Sequence, residues 1–237
     1  MMPVGSWRPL RHSWHKRPSG CSHQRSKGAR YSRPSLQPAG LSEGDLGLPD
    51  SEARVLGLDE MSAVGAGDLP SARAFIVNAT GPQPAVAIED LTWQAHLDQL
   101  LFFVKSPTLL LQAVLPGMKR RRRGRVIQIG SDIFERAVPG MSAYVAAKGA
   151  QLGLTRSWAR ELGPFGITVN FIAPGWIPVE RHAGASPENR RDYLADVPLG
   201  RMGVPEDIAA AVSHLASSAA GFITGERLTI NGGHTID

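Results

Sequence analysis

A tyrosine and a lysine stand four residues apart in the run SAYVAAKGAQ, as Tyr144 and Lys148, among alanines and glycines. On a helix, side chains at i and i+4 emerge on one face, about one turn apart. A phenol titrates at about 10 and is a poor base at neutral pH, but an ammonium close by favours the phenolate and lowers that value. Such a pair can give or take a proton at a carbinol oxygen. Ser131, thirteen residues upstream, ends the apolar run GRVIQIGS and can donate a hydrogen bond to a developing alkoxide. The spacing by itself is weak evidence and is more often that of a solvated helix face, so the chemistry depends on which elements carry these residues.

Those elements are legible from residue 73 onward. In ARAFIVNATG, Ala74 to Val77 is a short buried-type apolar run stopped by Asn78 and Gly81, as a parallel strand is. DLTWQAHLDQLLFFVKSPTLLLQAVLPGM has helical apolar spacing, with Pro107 predicting a kink or break. GRVIQIGS is a second strand, SAYVAAKGAQLGLTRSWAREL a long helix ending near Gly163-Pro164, and GITVNFIAPG a third strand. PEDIAAAVSHLASS opens a further helix with Pro205 and two acids in its first turn, and ERLTINGG is a last strand. Strands alternating with helices predict an α/β fold, a Rossmann-like doubly wound parallel sheet covered on both faces and incomplete at its N-terminal half. Ligands of such sheets lie beyond the carboxyl ends of the strands. The residues to weigh are therefore Asn78 to Gly81, Ser131, and Pro174 to Ile177.

Charge divides the chain. Its 237 residues carry a net +5, yet eight of the 26 basic residues and no acid lie before Ser42, leaving 18 basic against 21 acidic side chains in the remainder. The basicity belongs to the leader, and no nucleic-acid partner is expected of the body. The basic run 119–125, KRRRRGR, reads as a solvated loop between a helix and the strand that follows. Residues 1–50 read as a basic leader with no strand or helix period, interrupted by Pro9, Pro18 and Pro34. Their Arg- and Ser-rich, acid-free start resembles an organelle transit peptide, but the prolines make a poor amphipathic helix. Residues 51–237 read as the Rossmann-like domain, with EARVLGLD a possible strand ending at Asp59.

The single cysteine, Cys21, rules out an internal disulfide framework and fits a reducing compartment, the cytoplasm. The seven histidines show no metal-ligand spacing, so no metal is expected. No uninterrupted run of 18 apolar residues exists, and no membrane span is expected. Trp158 and Trp176 read as packing residues, and the stretch around Arg181 and His182 is polar.

Taken in order, Asn-x-x-Gly after one strand, Ser131, Tyr144-x-x-x-Lys148, NFIAPGWI and GFITGERLTINGG resemble the short-chain dehydrogenase/reductase family, near its 3-oxoacyl-carrier-protein reductase branch. The likeness covers residues 73–237. It implies an NAD- or NADP-dependent oxidoreductase that interconverts a carbonyl and an alcohol, built as a homodimer or homotetramer. Tyr144 would be the acid/base, Lys148 would lower its pKa and bond the nicotinamide ribose, and Ser131 would polarise the substrate carbonyl. Asn78 and Gly81 would line the adenosine side of the cofactor, and Pro174, Gly175 and Ile177 would border the nicotinamide. The polar stretch around Arg181 and His182 suits the mobile substrate lid that the resemblance implies there.

Three positions depart from the family's pattern. No Thr-Gly-x-x-x-Gly-x-Gly loop, whose glycines admit a pyrophosphate to a helix N-terminus, occurs before residue 73. Phe103 falls where the family carries an Asn that supports a water relay to the lysine. Val179 falls where a Thr often bonds the nicotinamide carboxamide. The alternative reading is thus a catalytically impaired or non-enzymatic protein of the same fold.

Overall fold

Short runs of aliphatic residues bounded by Gly, Asn or Pro form four strands among the described residues: β1 Ala74–Val77, β2 Gly124–Ile129, β3 Ile167–Pro174 and β4 Arg227–Ile230. All pair in parallel, in the order β1-β2-β3-β4. The computed structural model describes residues 72–78, 81–179, 182 and 184–236. The basic leader, EARVLGLD and the absent glycine loop all concern positions outside the described residues.

Parallel neighbours need crossover connections, and helices supply them. Between β1 and β2, α1 Trp93–Leu100 runs through a π-helical turn, Leu101–Lys105, into α2 Ser106–Arg121. Between β2 and β3 lie α3 Ile133–Arg136 and α4 Ser142–Leu162. Between β3 and β4 lie α5 Pro187–Ala195 and α6 Pro205–Ala216. Strand residues of one parity, Phe75, Val77, Val126, Ile167 and Val169, pack with Leu111, Val114 and Met118 of α2 and Ala159 and Leu162 of α4. Those of the other parity, Ala74, Ile127 and Ile172, pack with Val212, Leu215 and Ala216 of α6. This is the α/β, doubly covered Rossmann-like sheet expected from the sequence.

The register gathers the loops that follow the strands. Val77 is level with Gln128, Ile129 with Ile172, and Pro174 with Ile230. Bonds past the strand ends extend the ladder: Gly130 N–H donates to Ile172 O (2.7 Å), Asp132 N–H to Pro174 O (3.0 Å) and Gly175 N–H to Ile230 O (3.0 Å). Asn78, Ser131, Gly175 and Asn231 therefore leave the sheet along one edge.

Three elements differ from the sequence reading. Pro107 neither breaks nor sharply ends the helix. It sits in the first turn of α2, and the irregularity is taken up just before it, where Ser106 N–H bonds Leu101 O, five residues back. Because proline offers no N–H to the preceding turn, the ladder resumes only beyond it. The basic run is not a loop either: Lys119–Arg121 form the last turn of α2, where cations suit the helix C-terminus, and Gly124 and Arg125 already belong to β2. The third is α5, read only as part of a polar lid. Ser186 Oγ caps it by accepting from Asn189 N–H, and Tyr193 is its buried anchor.

The helical run Trp93–Arg121 is long and apolar enough, by length and composition, to cross a membrane, although it contains no uninterrupted apolar run of that length. Phe103, Leu111, Val114 and Met118 on it are core residues of this domain. Trp158 packs against the core, as expected.

At the start of α6, Asp207 accepts from Val204 N–H (2.9 Å) and from both terminal nitrogens of Arg201 (2.7 and 2.8 Å). The Arg201 guanidinium, then the Val204 amide, hold this carboxyl down at about 2. A depressed carboxyl stabilises the fold above its unfolded-state value and loses that contribution as pH falls through its folded-state value. Asp207→Asn is therefore expected to lower the melting temperature near neutrality by about a degree or two, the pair being exposed. The gap between variant and parent should close in thermal melts as pH falls from about 4 to about 2.

Candidate active site

Tyr144 and Lys148 project from the first two turns of α4 and are both buried, at 8 % and 3 % exposure, with fully buried Ala147 between them in sequence. Lys148 Nζ donates to Ile129 O (2.9 Å) and to Gln151 Oε1 (3.1 Å). It lies 3.9 Å from the centre of the Phe103 ring and 5.7 Å from that of Tyr144. Phe103 meets Tyr144 edge-on, with ring centres 5.5 Å apart. The π-helical turn thus delivers an aromatic face to the ammonium, an arrangement favoured by the ring quadrupole. The position at which a relay Asn was expected carries no polar side-chain atom.

Ser131 is tied to this pair through Ile129, whose carbonyl accepts from Lys148 two residues before the serine. Ser131 Oγ accepts from Ile133 N–H at 3.2 Å, which spares the hydroxyl proton for a ligand oxygen. Ahead of it, Gly130 is required by packing: a Cβ there would lie 1.7 Å from Cζ of the fully buried Phe171.

The Pro174–Ile177 turn borders Ser131 through the Asp132-to-Pro174 bond. A Cβ on Gly175 would lie 2.5 Å from the Tyr193 hydroxyl and 2.7 Å from Asn231 Cβ, so only glycine fits this approach of the turn to α5 and to the end of β4. Ile177 is half-buried and Val179 is exposed. Trp176 packs edge-on against Tyr193 and His182, at 5.4 and 6.0 Å. Asn78 is exposed just after β1, and Gly81 lies against Phe102, where a Cβ would come within 2.9 Å. Arg181 lies outside the described residues.

The same edge holds a cluster that sequence reasoning missed. Asp132, with no exposed surface, accepts from Arg136 Nε (2.9 Å) and from Asn231 Nδ2 (3.2 Å). His234 Nδ1 is 3.9 Å from the same carboxylate, and its ring stacks on Tyr193 at 4.5 Å. Burial, reinforced by the Asp132 charge, pushes the Tyr193 phenol above its ordinary value, while the Trp176 amide and Arg136 oppose this. The Tyr193 hydroxyl accepts from Trp176 N–H (2.8 Å) and so ties α5 to the Pro174–Ile177 turn. Asp132 and Asn231 are 99 positions apart, and only the β2-β3-β4 register joins them. Their one signal was adjacency: Asp132 follows Ser131, and Asn231 follows ERLTI.

No group of three or more His, Cys, Asp or Glu side chains able to hold a metal occurs among the described residues. The residues present, a cation and a phenol on α4, a hydroxyl after β2 and a Pro-Gly turn after β3 that only Gly175 allows, fit a nicotinamide nucleoside. Lys148 and Tyr144 would face its ribose and Pro174 to Ile177 its amide ring.

The family model described as enoyl-(acyl carrier protein) reductase matches residues 72–235. The 3-oxoacyl-[acyl-carrier-protein] reductase of Vibrio cholerae is 46 % identical over 124 residues, which are 52 % of this chain and 51 % of that protein. Its counterpart in Escherichia coli is 44 % identical over 124 residues, with the same coverage. The chain thus spans about half the length of the curated relatives it matches. A solved dehalogenation enzyme aligns at a TM-score of 0.67 with 28 % identity, over 72 % of this chain and 74 % of that one. The 3-oxoacyl-[acyl-carrier protein] reductase of Brucella melitensis aligns at 0.63 with 28 % identity, over 68 % and 62 %. With more than half its length matched by the family model and its strand-end motifs in the family's order, the chain belongs to the short-chain dehydrogenase/reductase family.

Proposed function

We propose that this protein is a nicotinamide-dependent reductase that converts a carbonyl group to an alcohol, with Tyr144, Lys148 and Ser131 acting at the reacting oxygen. The observation that carries this is the Lys148 bond to Ile129 O, which ties the Tyr144–Lys148 wall of α4 to the strand end bearing Ser131. Ser131 donates its hydroxyl hydrogen bond to the carbonyl oxygen and polarises it. Tyr144 gives that oxygen its phenolic proton, and the Lys148 charge one turn away stabilises the phenolate left behind. The bound nicotinamide supplies the hydride that reaches the carbonyl carbon. In the oxidative direction Tyr144 takes the proton back.

The relatives named above make a 3-oxoacyl thioester the first substrate to test. Incubating the full chain with NADPH or NADH and an acetoacetyl thioester, and following nicotinamide absorbance, should show substrate-dependent oxidation of the cofactor. No turnover with either cofactor, over a panel of 3-oxoacyl thioesters and simple ketones, would favour the non-enzymatic alternative. That alternative draws on Phe103, which removes the polar side chain expected next to Lys148.

Two features support a homo-oligomer. Trp93, Leu97 and Leu101 follow at four-residue intervals along one exposed helix face, and α4 exposes the small residues Ala146, Gly149 and Gly153. Faces of this kind let helices from two copies approach closely. Sedimentation of the purified chain should give a dimer or larger species.

A further inference from the structure

Three polar side chains lie in one row within the otherwise apolar contact between β2 and α4. Gln128, Gln151 and Thr155 each have no exposed surface. Gln128 Nε2 donates to Thr155 Oγ1 (2.9 Å) and to Gln151 O (3.3 Å), and Thr155 Oγ1 donates to that same carbonyl (3.0 Å). At the head of the row, Gln151 Oε1 accepts from Lys148 Nζ at 3.1 Å. That contact fixes the sense of the amide, because an ammonium only donates and must be met by the oxygen. In consequence Gln151 Nε2 is buried without a partner among the described residues, as is Gln128 Oε1, whose amide is turned the other way by its donation to Gln151 O. Leu or Met would fill the same volume and strand no donor, so packing does not explain a glutamine here. What glutamine adds is an acceptor for Lys148.

We propose that Gln151 is a positioning residue for Lys148: its amide oxygen, the Ile129 carbonyl and the Phe103 ring face hold the ammonium in one place, a helical turn from Tyr144. Gln128 and Thr155 brace the Gln151 backbone from behind. The contact itself stands independently, whereas its value to catalysis rests on the reductase reading above.

Nuclear magnetic resonance of the lysine ammonium protons in the full chain tests it, with five lysines in the sequence and Lys148→Met identifying the signal. In Gln151→Leu those protons should exchange with water about tenfold faster or more, while circular dichroism stays unchanged. Turnover of a carbonyl substrate should fall about tenfold with KM within about twofold, the signature of an interaction that matters in the transition state. Gln151→Glu restores an acceptor, so it should recover slow exchange and most of the turnover, and displace the pH profile because a carboxylate now faces the ammonium. If Gln151→Leu does not fold, Gln151→Met serves in its place. Unchanged ammonium exchange in the Leu or Met variant overturns the proposal, as does a variant that loses turnover and is not rescued by Glu. Faster exchange in the variant, with no cofactor-dependent turnover in the parent chain, supports the positioning role and overturns the reductase reading instead.

Discussion

Tyr144→Phe is expected to lower kcat/KM for carbonyl reduction by about a thousandfold, the size of a lost general acid. The change removes one oxygen and leaves the ring, so the edge-on contact with Phe103 at 5.5 Å and the burial of the side chain persist. The melting temperature should therefore move by no more than about 3 °C, which separates loss of chemistry from loss of fold. Steady-state rates beside thermal melts decide the matter. Undiminished reduction by Tyr144→Phe would remove the phenol from the mechanism.

The second large effect is steric. In Gly130→Ala the new methyl would lie 1.7 Å from Phe171 Cζ and 2.2 and 2.4 Å from its Cε atoms. Phe171 cannot turn away, since it has no exposed surface and sits in β3 between β2 and β4. Overpacking of this severity costs about 3 kcal/mol, or roughly 6–12 °C in melting temperature for a domain of this size. The residue after Gly130 is Ser131, so whatever folds should also lose turnover. A variant that melts with the parent would show that Phe171 can yield.

The sequence disclosed most of what hydrophobic patterning controls. β2 and β3 are buried on both faces and read as mostly apolar runs, interrupted by Arg125 and Gln128 in the one and by Thr168 and Asn170 in the other, and α4 and α6 announce themselves by period and by Pro205. Tyr144 and Lys148 were legible because one helix carries both, so their spacing survives folding unchanged. What was not legible depended on long-range contact or on backbone detail. Asp132 and Asn231 meet only through strand register. The π-helical turn at Leu101–Lys105 has no residue signature beyond Pro107, and α5 has a single buried anchor, Tyr193, too few for a helical period to show. Phe103 was recognised as a departure, but its place against the Lys148 ammonium required coordinates. Gln128 and Gln151 passed unnoticed because each is one polar residue in an apolar stretch.

Binding of the cofactor tests the central claim most directly. Titration of NADPH and NADH into the full chain, followed by calorimetry, should give saturable binding of at least one of them in the range of about 1–100 μM. Lys148→Met should weaken it about tenfold or more. Absence of saturable binding for both nucleotides at about millimolar concentration would contradict a nicotinamide site on this edge of the sheet.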